Sequence, residues 1–313
     1  DPLLPKSNYL YLSRKALLPL AFCKPSDVYA IKDHISHDSV IHKTPRGMIR
    51  QFLGLEADAE LELHVRQHGF GMDQYFKNFA AFQRFLHVLA SKEDLLQSKA
   101  AIRTQITKQL DRQIGKNDVL FDIGYNGTAQ RILSDLLGRP VEGYYVYINK
   151  DRPLVQQAQS GCAVETFYDR TPAISGAVRE VVFSKGEPSC CGYIVQEDML
   201  KPVFEKDRRN YIEVLLSRIT AQGISDFASD FCTKLGPYLH LVTYRNYDIS
   251  IPFEFLMERA SDLDRDVFQC SYFEDDIFYG DGKIGLSSWW KSYGAKQESR
   301  GDAKQSLVLE NEI

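Results

Sequence analysis

The stretch Val119-Leu120-Phe121-Asp122-Ile123-Gly124-Tyr125-Asn126-Gly127-Thr128-Ala129-Gln130 constrains the chain more than any other. It reads as a short buried strand, a glycine turn and the start of a helix. Val119, Leu120, Phe121 and Ile123 are apolar, and Asp122 interrupts them near the strand's end. Gly124 and Gly127 bracket a turn in which Asn126 also tolerates positive φ. Thr128, or Asn126 before it, is placed to cap a helix over residues 129–137, which Gly138 and Pro140 end. A second strand over 141–148 follows, so the order strand–helix–strand predicts parallel strands with a right-handed crossover. Ligands bind such sheets outside the carboxyl ends of the strands. A helix N-terminus there offers free N–H groups to a phosphate or another anion. Asp122 is therefore the candidate catalytic residue, and Gly124, Asn126, Gly127, Thr128 and Gln130 are candidate ligand-binding residues.

Around this centre the chain reads as follows. Tyr9-Leu10-Tyr11-Leu12-Ser13-Arg14 suggests a strand that brings Ser13 and Arg14 to the same carboxyl edge, where Arg14 could bind a phosphate bidentately. Residues 23–74 are irregular, with Ser26 and Asp27 capping a short helix through Ile31 and a helical stretch over 46–53. His34, His37 and His42 fall close together, but no carboxylate pattern completes a ligand set, so they read as solvated or locally bonded. The stripe Phe76, Phe79, Phe82, Phe85, Leu86 and Leu89 predicts a core-facing helix over 75–89. A second helix over 92–113, with Leu95, Leu96, Ile102, Ile106 and Leu110 on one face, is expected to pair with it as an antiparallel hairpin. A helix over 152–159 and a strand over 163–167 continue the α/β pattern.

Beyond Pro172 the texture changes. A helix over 174–183, a hairpin of 191–195 with 200–204 around Glu197-Asp198, and a long helix over 211–235 are expected. On that helix Ile212, Leu215, Leu216, Ile219, Ile224, Phe227 and Phe231 should face largely inward, and Gly223 should mark a kink or a close contact. A further helix over 252–257, an acidic cluster at Glu274-Asp275-Asp276, the pair Trp289-Trp290 and a polar, disordered tail from Lys291 complete the chain. The expected fold class is α/β: a doubly wound, Rossmann-like parallel sheet with flanking helices over 1–170, plus a mainly helical C-terminal region over 171–290 and the tail over 291–313.

Composition narrows the function classes. Net charge is -4 across 313 residues, which gives no general reason to expect nucleic acid as a partner. No apolar run approaches the roughly 20 residues of a membrane span. The six cysteines form no CxxC pair, which fits buried free thiols in a reducing, cytoplasmic setting. The opening Asp1-Pro2-Leu3-Leu4-Pro5 carries neither Met nor leader, so a fragment of a longer protein is expected.

Several segments together resemble one family. Tyr9 to Leu17, Phe121 to Gln130, Gly143-Tyr144-Tyr145, Arg179 to Phe183 with Pro188 to Tyr193, Pro202-Val203-Phe204 and Gln222 to Phe227 occur in order. They are similar to segments of predicted hydrolases of the haloacid dehalogenase (HAD) superfamily that act in bacterial surface-polysaccharide biosynthesis, often fused to glycosyltransferases. The family's aspartate nucleophile lies in a DxD-type motif, and no such motif precedes Ser13 here. The resemblance thus implies the region downstream of the phosphatase core, with HAD and glycosyltransferase domains upstream as partners in the same chain. It implies a phosphorylated sugar or nucleotide as ligand; Asp122 would then orient either a metal, with Mg the candidate cofactor, or a hydroxyl. A phosphoribosyltransferase-like variant, an S-adenosylmethionine-dependent methyltransferase-like domain and a non-catalytic interaction module are the alternatives.

Overall fold

The computed structural model describes residues 8–34, 40–124, 127–148, 163–168, 175–183, 187–207, 209–241, 260–266, 268–274, 283–288 and 290–291. Among the described residues the first element is not a strand but helix α1, Arg14–Ala21. The expected strand over 9–14 is absent because Ser13 caps this helix. Its Oγ accepts the Ala16 N–H at 3.0 Å and donates to the Cys190 carbonyl. Tyr11 instead packs its ring on Phe204, 5.0 Å between centroids. Ala16, Leu17, Leu18 and Leu20 are buried. Ser13→Ala should therefore cost about 2 kcal/mol, the sum of a lost cap and a stranded carbonyl, read as a lower urea midpoint.

Helix α2, Pro25–Ala30, runs into a short 3-10 turn at Ile31–His34. Helix α3, Pro45–Met48, passes into a π-type turn at Ile49–Leu53, which Gly54 closes at φ 63°. Gly54 is required twice over: a Cβ there would also lie 2.8 Å from the Pro19 ring of α1. Helix α4 spans Ala59–Gln67. Helix α5, Phe79–Ala90, starts later than the aromatic stripe suggests, because Asn78 caps it through Ala81 N–H at 2.9 Å. Helix α6 spans Glu93–Gln113.

The expected α5–α6 hairpin is not the arrangement found: α5 packs on α2 and α4, whereas α6 packs on α1 and on elements that follow it. The buried face of α6 is Leu96, Lys99, Ile106, Gln109 and Leu110, and Ile102 is exposed. Lys99 occupies an apolar position by donating its ammonium to the Leu53 carbonyl. Burial pulls its pKa below the usual lysine value.

Strand β1, Val119–Asp122, helix α7, Thr128–Leu137, strand β2, Glu142–Tyr145, and strand β3, Val164–Thr166, build the parallel sheet. Its order is β1-β2-β3, with Asp122 opposite Tyr145 and Tyr145 opposite Thr166. The βαβ unit thus has its expected direction. β1 is only half covered, however. Leu120 packs against the main core, while Val119 and Phe121 are exposed and Phe121 stacks on Tyr144 at 6.1 Å. The helix expected over 152–159 lies outside the described residues. The described chain is mixed helix and strand with a small parallel sheet; a doubly wound arrangement needs more strands than these three.

Helix α8, Ser175–Phe183, precedes an antiparallel hairpin of β4, Cys190–Gln196, and β5, Met199–Phe204. Glu197 and Asp198 sit at φ 53° and 56°, the mirror-image turn that matches strand twist. Asp198 accepts from Gln109 and Arg112 of α6, each at 2.6 Å, and Arg112 holds its carboxyl below the usual range. Cys190 and Tyr193 belong to the same core as α1 to α7, so that core crosses position 170.

Helix α9, Tyr211–Leu235, has the expected bounds, fixed by a reciprocal cap between Asn210 and Glu213. Its apolar side does not face inward: Ile212, Leu215, Ile219 and Phe227 are exposed. Nothing packs on Gly223. A short helix α10, Asp262–Asp266, and the pair β6, Tyr272–Glu274, with β7, Lys283–Gly285, follow. Trp290 is buried beside Phe268. His37, Cys162, Asp275, Asp276, Trp289, the expected helix over 252–257 and the tail beyond Lys291 lie outside the described residues.

Candidate functional site

The carboxyl edge of the sheet is built by three strand ends. Asp122 closes β1, and its carbonyl accepts the Val146 N–H at 3.0 Å just past β2. Tyr168 N–H reaches Val146 O at 2.9 Å just past β3. The half-buried Asp122 carboxylate folds back to accept the Gly124 N–H at 2.8 Å. Burial pushes its pKa up, against the pull of the Gly124 and Ile123 amides and of the Arg14 guanidinium. A Cβ at Gly124 would come within 3.2 Å of that carboxylate, so glycine fits the turn.

Arg14, the first residue of α1, carries the charge that acts on Asp122. Helix α1 reaches this edge by packing across α7. Arg14 thus acts on Asp122 electrostatically, from a helix rather than from the expected strand.

At α7, the cap position belongs to Gly127 at φ 62°, with no side-chain bond, and Thr128 is the first helical residue. Thr128 is therefore not the cap. Asn126 and Tyr125 lie outside the described residues. The α7 N-terminus keeps its positive dipole end at the edge.

Three expected ligand contacts are instead committed to the protein. The Ser13 hydroxyl serves Ala16 and Cys190. The Gly124 amide serves Asp122. Gln130 is 0 % exposed and donates to Val141 O at 2.7 Å and Ala163 O at 3.3 Å, while its Oε1 accepts the Tyr145 hydroxyl at 2.9 Å. It locks α7 to the starts of β2 and β3 and cannot turn toward a ligand.

Arg179 of α8 is a residue that sequence reasoning did not single out. Its buried guanidinium lies 5.7 Å from the Tyr147 ring centre, one residue past the Val146 amide that meets Asp122. Its sequence signal was the charged pair Arg179-Glu180 in an otherwise apolar helical stretch, Ala177-Val178-Arg179-Glu180-Val181-Val182.

Among the described residues no three His, Cys, Asp or Glu side chains converge as a metal site, and the charge next to Asp122 is cationic. The donor set among the described residues of this edge does not fit Mg. The five described cysteines are free, and burial raises the thiol pKa of Cys23, Cys190 and Cys191, which makes them poor nucleophiles. No helix among the described residues is long and apolar enough to cross a membrane.

A separate cleft of about 1010 Å³ is lined by Lys43, Arg50, Glu180, Glu205, Arg209 and Tyr272, among others. Asp122 does not line it, and its mixed charges select no single ligand class. No protein-family model matches the chain, and no curated protein matches it.

Proposed function

We propose that the carboxyl edge of the parallel sheet binds a phosphorylated sugar or nucleotide, as part of a HAD-hydrolase-like, Rossmann-like protein of cell-surface glycan assembly that lacks the HAD nucleophile motif. The observation that carries this reading is Asp122. Burial makes its ionised form costly, yet asparagine could accept the same Gly124 N–H without a charge. A carboxylate kept at such a position beside Arg14 has a use for its charge. In this reading Arg14 takes the phosphate together with the N-terminus of α7, and Asp122 accepts a sugar or ribose hydroxyl. Arg179, over the Tyr147 ring just past β2, adds positive potential. Free thiols suit the reducing cytoplasm where activated sugars are made.

The test is titration with glucose 1-phosphate and UDP-glucose, followed by calorimetry and amide chemical shifts. Arg14→Ala and Asp122→Asn should each weaken binding tenfold or more, about 1.4 kcal/mol. Binding by neither ligand, or unchanged affinity in Arg14→Ala, would refute the proposal.

Stability separates this role from a structural one. The raised carboxyl pKa means that the native protein holds the Asp122 proton more tightly than the unfolded chain does. The stability it contributes is present below the unfolded carboxylate value and is lost as pH rises through the native value. Asp122→Asn should flatten that decline and be at least as stable as the parent at neutral pH, while binding ligand worse. Urea titrations across the acid range give the comparison. An Asn variant that is markedly less stable at neutral pH would make Asp122 a structural group.

A further inference from the structure

Helix α4 carries two histidines one turn apart, His64 and His68, at its end. Residues four apart lie on one side of a helix, so their side chains can meet. Here the two imidazoles touch, with ring centres 4.6 Å apart and planes tilted by 52°. Leu61 and Val65 are buried and hold α4 on the core, while His64 is half-buried and His68 is exposed. The pair sits at the carbonyl end of the helix, because His68 is the residue that closes it. The helix dipole favours a cation at that end. The neighbouring side-chain cations are already paired, Arg66 with Glu62 and Lys92 with Glu60.

The hydrogen bonds fix which nitrogen of each ring stays open. His64 Nε2 lies 3.2 Å from the Val88 carbonyl and 3.2 Å from Ser91 Oγ, at the end of α5. A carbonyl can only accept, and the Ser91 hydroxyl gives its own hydrogen to Val88 O at 2.7 Å. The proton of a neutral His64 ring is therefore on Nε2, and its lone pair is on Nδ1. His68 Nδ1 lies 2.8 Å from the His64 carbonyl, so it too donates, and the lone pair of His68 is on Nε2. An imidazole whose N–H is held by a backbone carbonyl is oriented as a metal ligand is: the bond fixes the ring and leaves the other nitrogen as the donor. Two such nitrogens on one tetrahedral ion, each about 2.0–2.1 Å from it, lie roughly 3.4 Å from one another. Rings in contact at 4.6 Å allow that separation.

We propose that His64 and His68 bind a divalent transition-metal ion of the class imidazole prefers, zinc or a neighbouring ion, through His64 Nδ1 and His68 Nε2. No third His, Cys, Asp or Glu joins the pair among the described residues, so water completes the coordination and the ion is exchangeable. Through the Val88 and Ser91 bonds of His64, the ion ties the last turn of α4 to the end of α5. The inference is independent of the ligand reading of the sheet edge.

Titration of the whole 313-residue chain with zinc and with nickel tests it, followed by calorimetry and thermal unfolding. Copper is avoided because it oxidises free thiols. Each metal should bind and raise the thermal midpoint, since an ion held only by the native state stabilises it. His64→Ala and His68→Ala should each weaken binding tenfold or more. His87→Ala, on α5 beside Tyr29, should bind as the parent does. His68 is exposed, so its variant probes the site without disturbing the core. Nitrogen NMR of the histidine rings is the second measurement and needs no variant. The metal-free parent should show His64 protonated on Nε2 and His68 on Nδ1, and zinc should shift His64 Nδ1 and His68 Nε2. The opposite tautomers overturn the proposal. So does an affinity that both alanine variants leave unchanged, which would place the metal on the cysteines or on other histidines, and so does the absence of binding at millimolar metal.

Discussion

Gln130→Leu should destabilise the protein by about 3 kcal/mol, although leucine matches the volume and suits a helix. The reason lies in what remains behind. The Val141 carbonyl and Tyr145 hydroxyl would both stay buried after losing their bonds of 2.7 Å and 2.9 Å. An unsatisfied buried group costs about 1–3 kcal/mol, far more than the net value of the bond itself. The neighbouring chain leaves no slack to recover it. Gly143 lies so close that a Cβ there would stand 2.5 Å from Gln130 Oε1, and β2 cannot shift without losing its register with β3. Urea denaturation measures the loss. A cycle with Tyr145→Phe isolates the shared part: the double variant should be more stable than the two single losses predict, by about 1 kcal/mol. Full additivity would mean that Gln130 acts through helix packing alone.

Phe85→Ala should cost about 4 kcal/mol, the range seen when a buried aromatic ring is truncated. Phe85 is fully buried and lies 5.6 Å from Phe70 and 5.2 Å from Phe76. Those two rings come from the segment before α5, so the cluster fixes the entry to the helix as well as its face. Phe82, 5.5 Å from Phe76, closes the group from the preceding turn of the helix. With four aromatic rings meeting, truncation leaves a void that no single rotamer change fills. Phe85→Leu should cost clearly less, and the difference between the two variants reports how rigid the cavity is. A loss below about 2 kcal/mol for Phe85→Ala would mean that the segment collapses onto the space.

These residues also show which parts of the molecule can be read locally. The β1–α7–β2 unit was legible because each boundary has its own chemical mark: an apolar run, Gly127 at positive φ, Gly138 at positive φ. The bounds of α9 were legible because Asn210 and Glu213 satisfy each other's backbone groups within one turn. The hairpin announced itself through Glu197-Asp198. What escaped was long-range. Alternating Tyr and Leu before Ser13 look like a strand, whereas Ser13 caps a helix through the Ala16 N–H and is held from far along the chain by the Cys190 carbonyl. Gln130 looks like a polar residue on the open side of a helix; its burial depends on where β2 and β3 begin. Lys99 breaks an apolar face for the sake of a carbonyl in a π-type turn. At the site, Asp122 and its glycine turn were visible, whereas Arg179 depended on α8 folding over Tyr147. The apolar period of α9 was plain, but periodicity says nothing about what covers a face.

The docking of residues 11–15 on the hairpin sets the order in which the chain can finish folding. Tyr11 donates to Glu187 at 2.7 Å, Lys15 pairs with Glu205 at 3.1 Å, and Ser13 reaches Cys190 across 177 positions. At about 5–20 residues per second, a ribosome needs roughly 9–35 s to make the intervening chain. Helix α1 can meet the π-type turn early and α7 next, but its edge along β4 stays open until the hairpin emerges. Closing so long a loop is slow and leaves apolar surface uncovered in the meantime. The core spanning α1 to β5 is therefore completed in a single late step, and a nascent chain halted at β3 would still lack the surface on which its first helix rests.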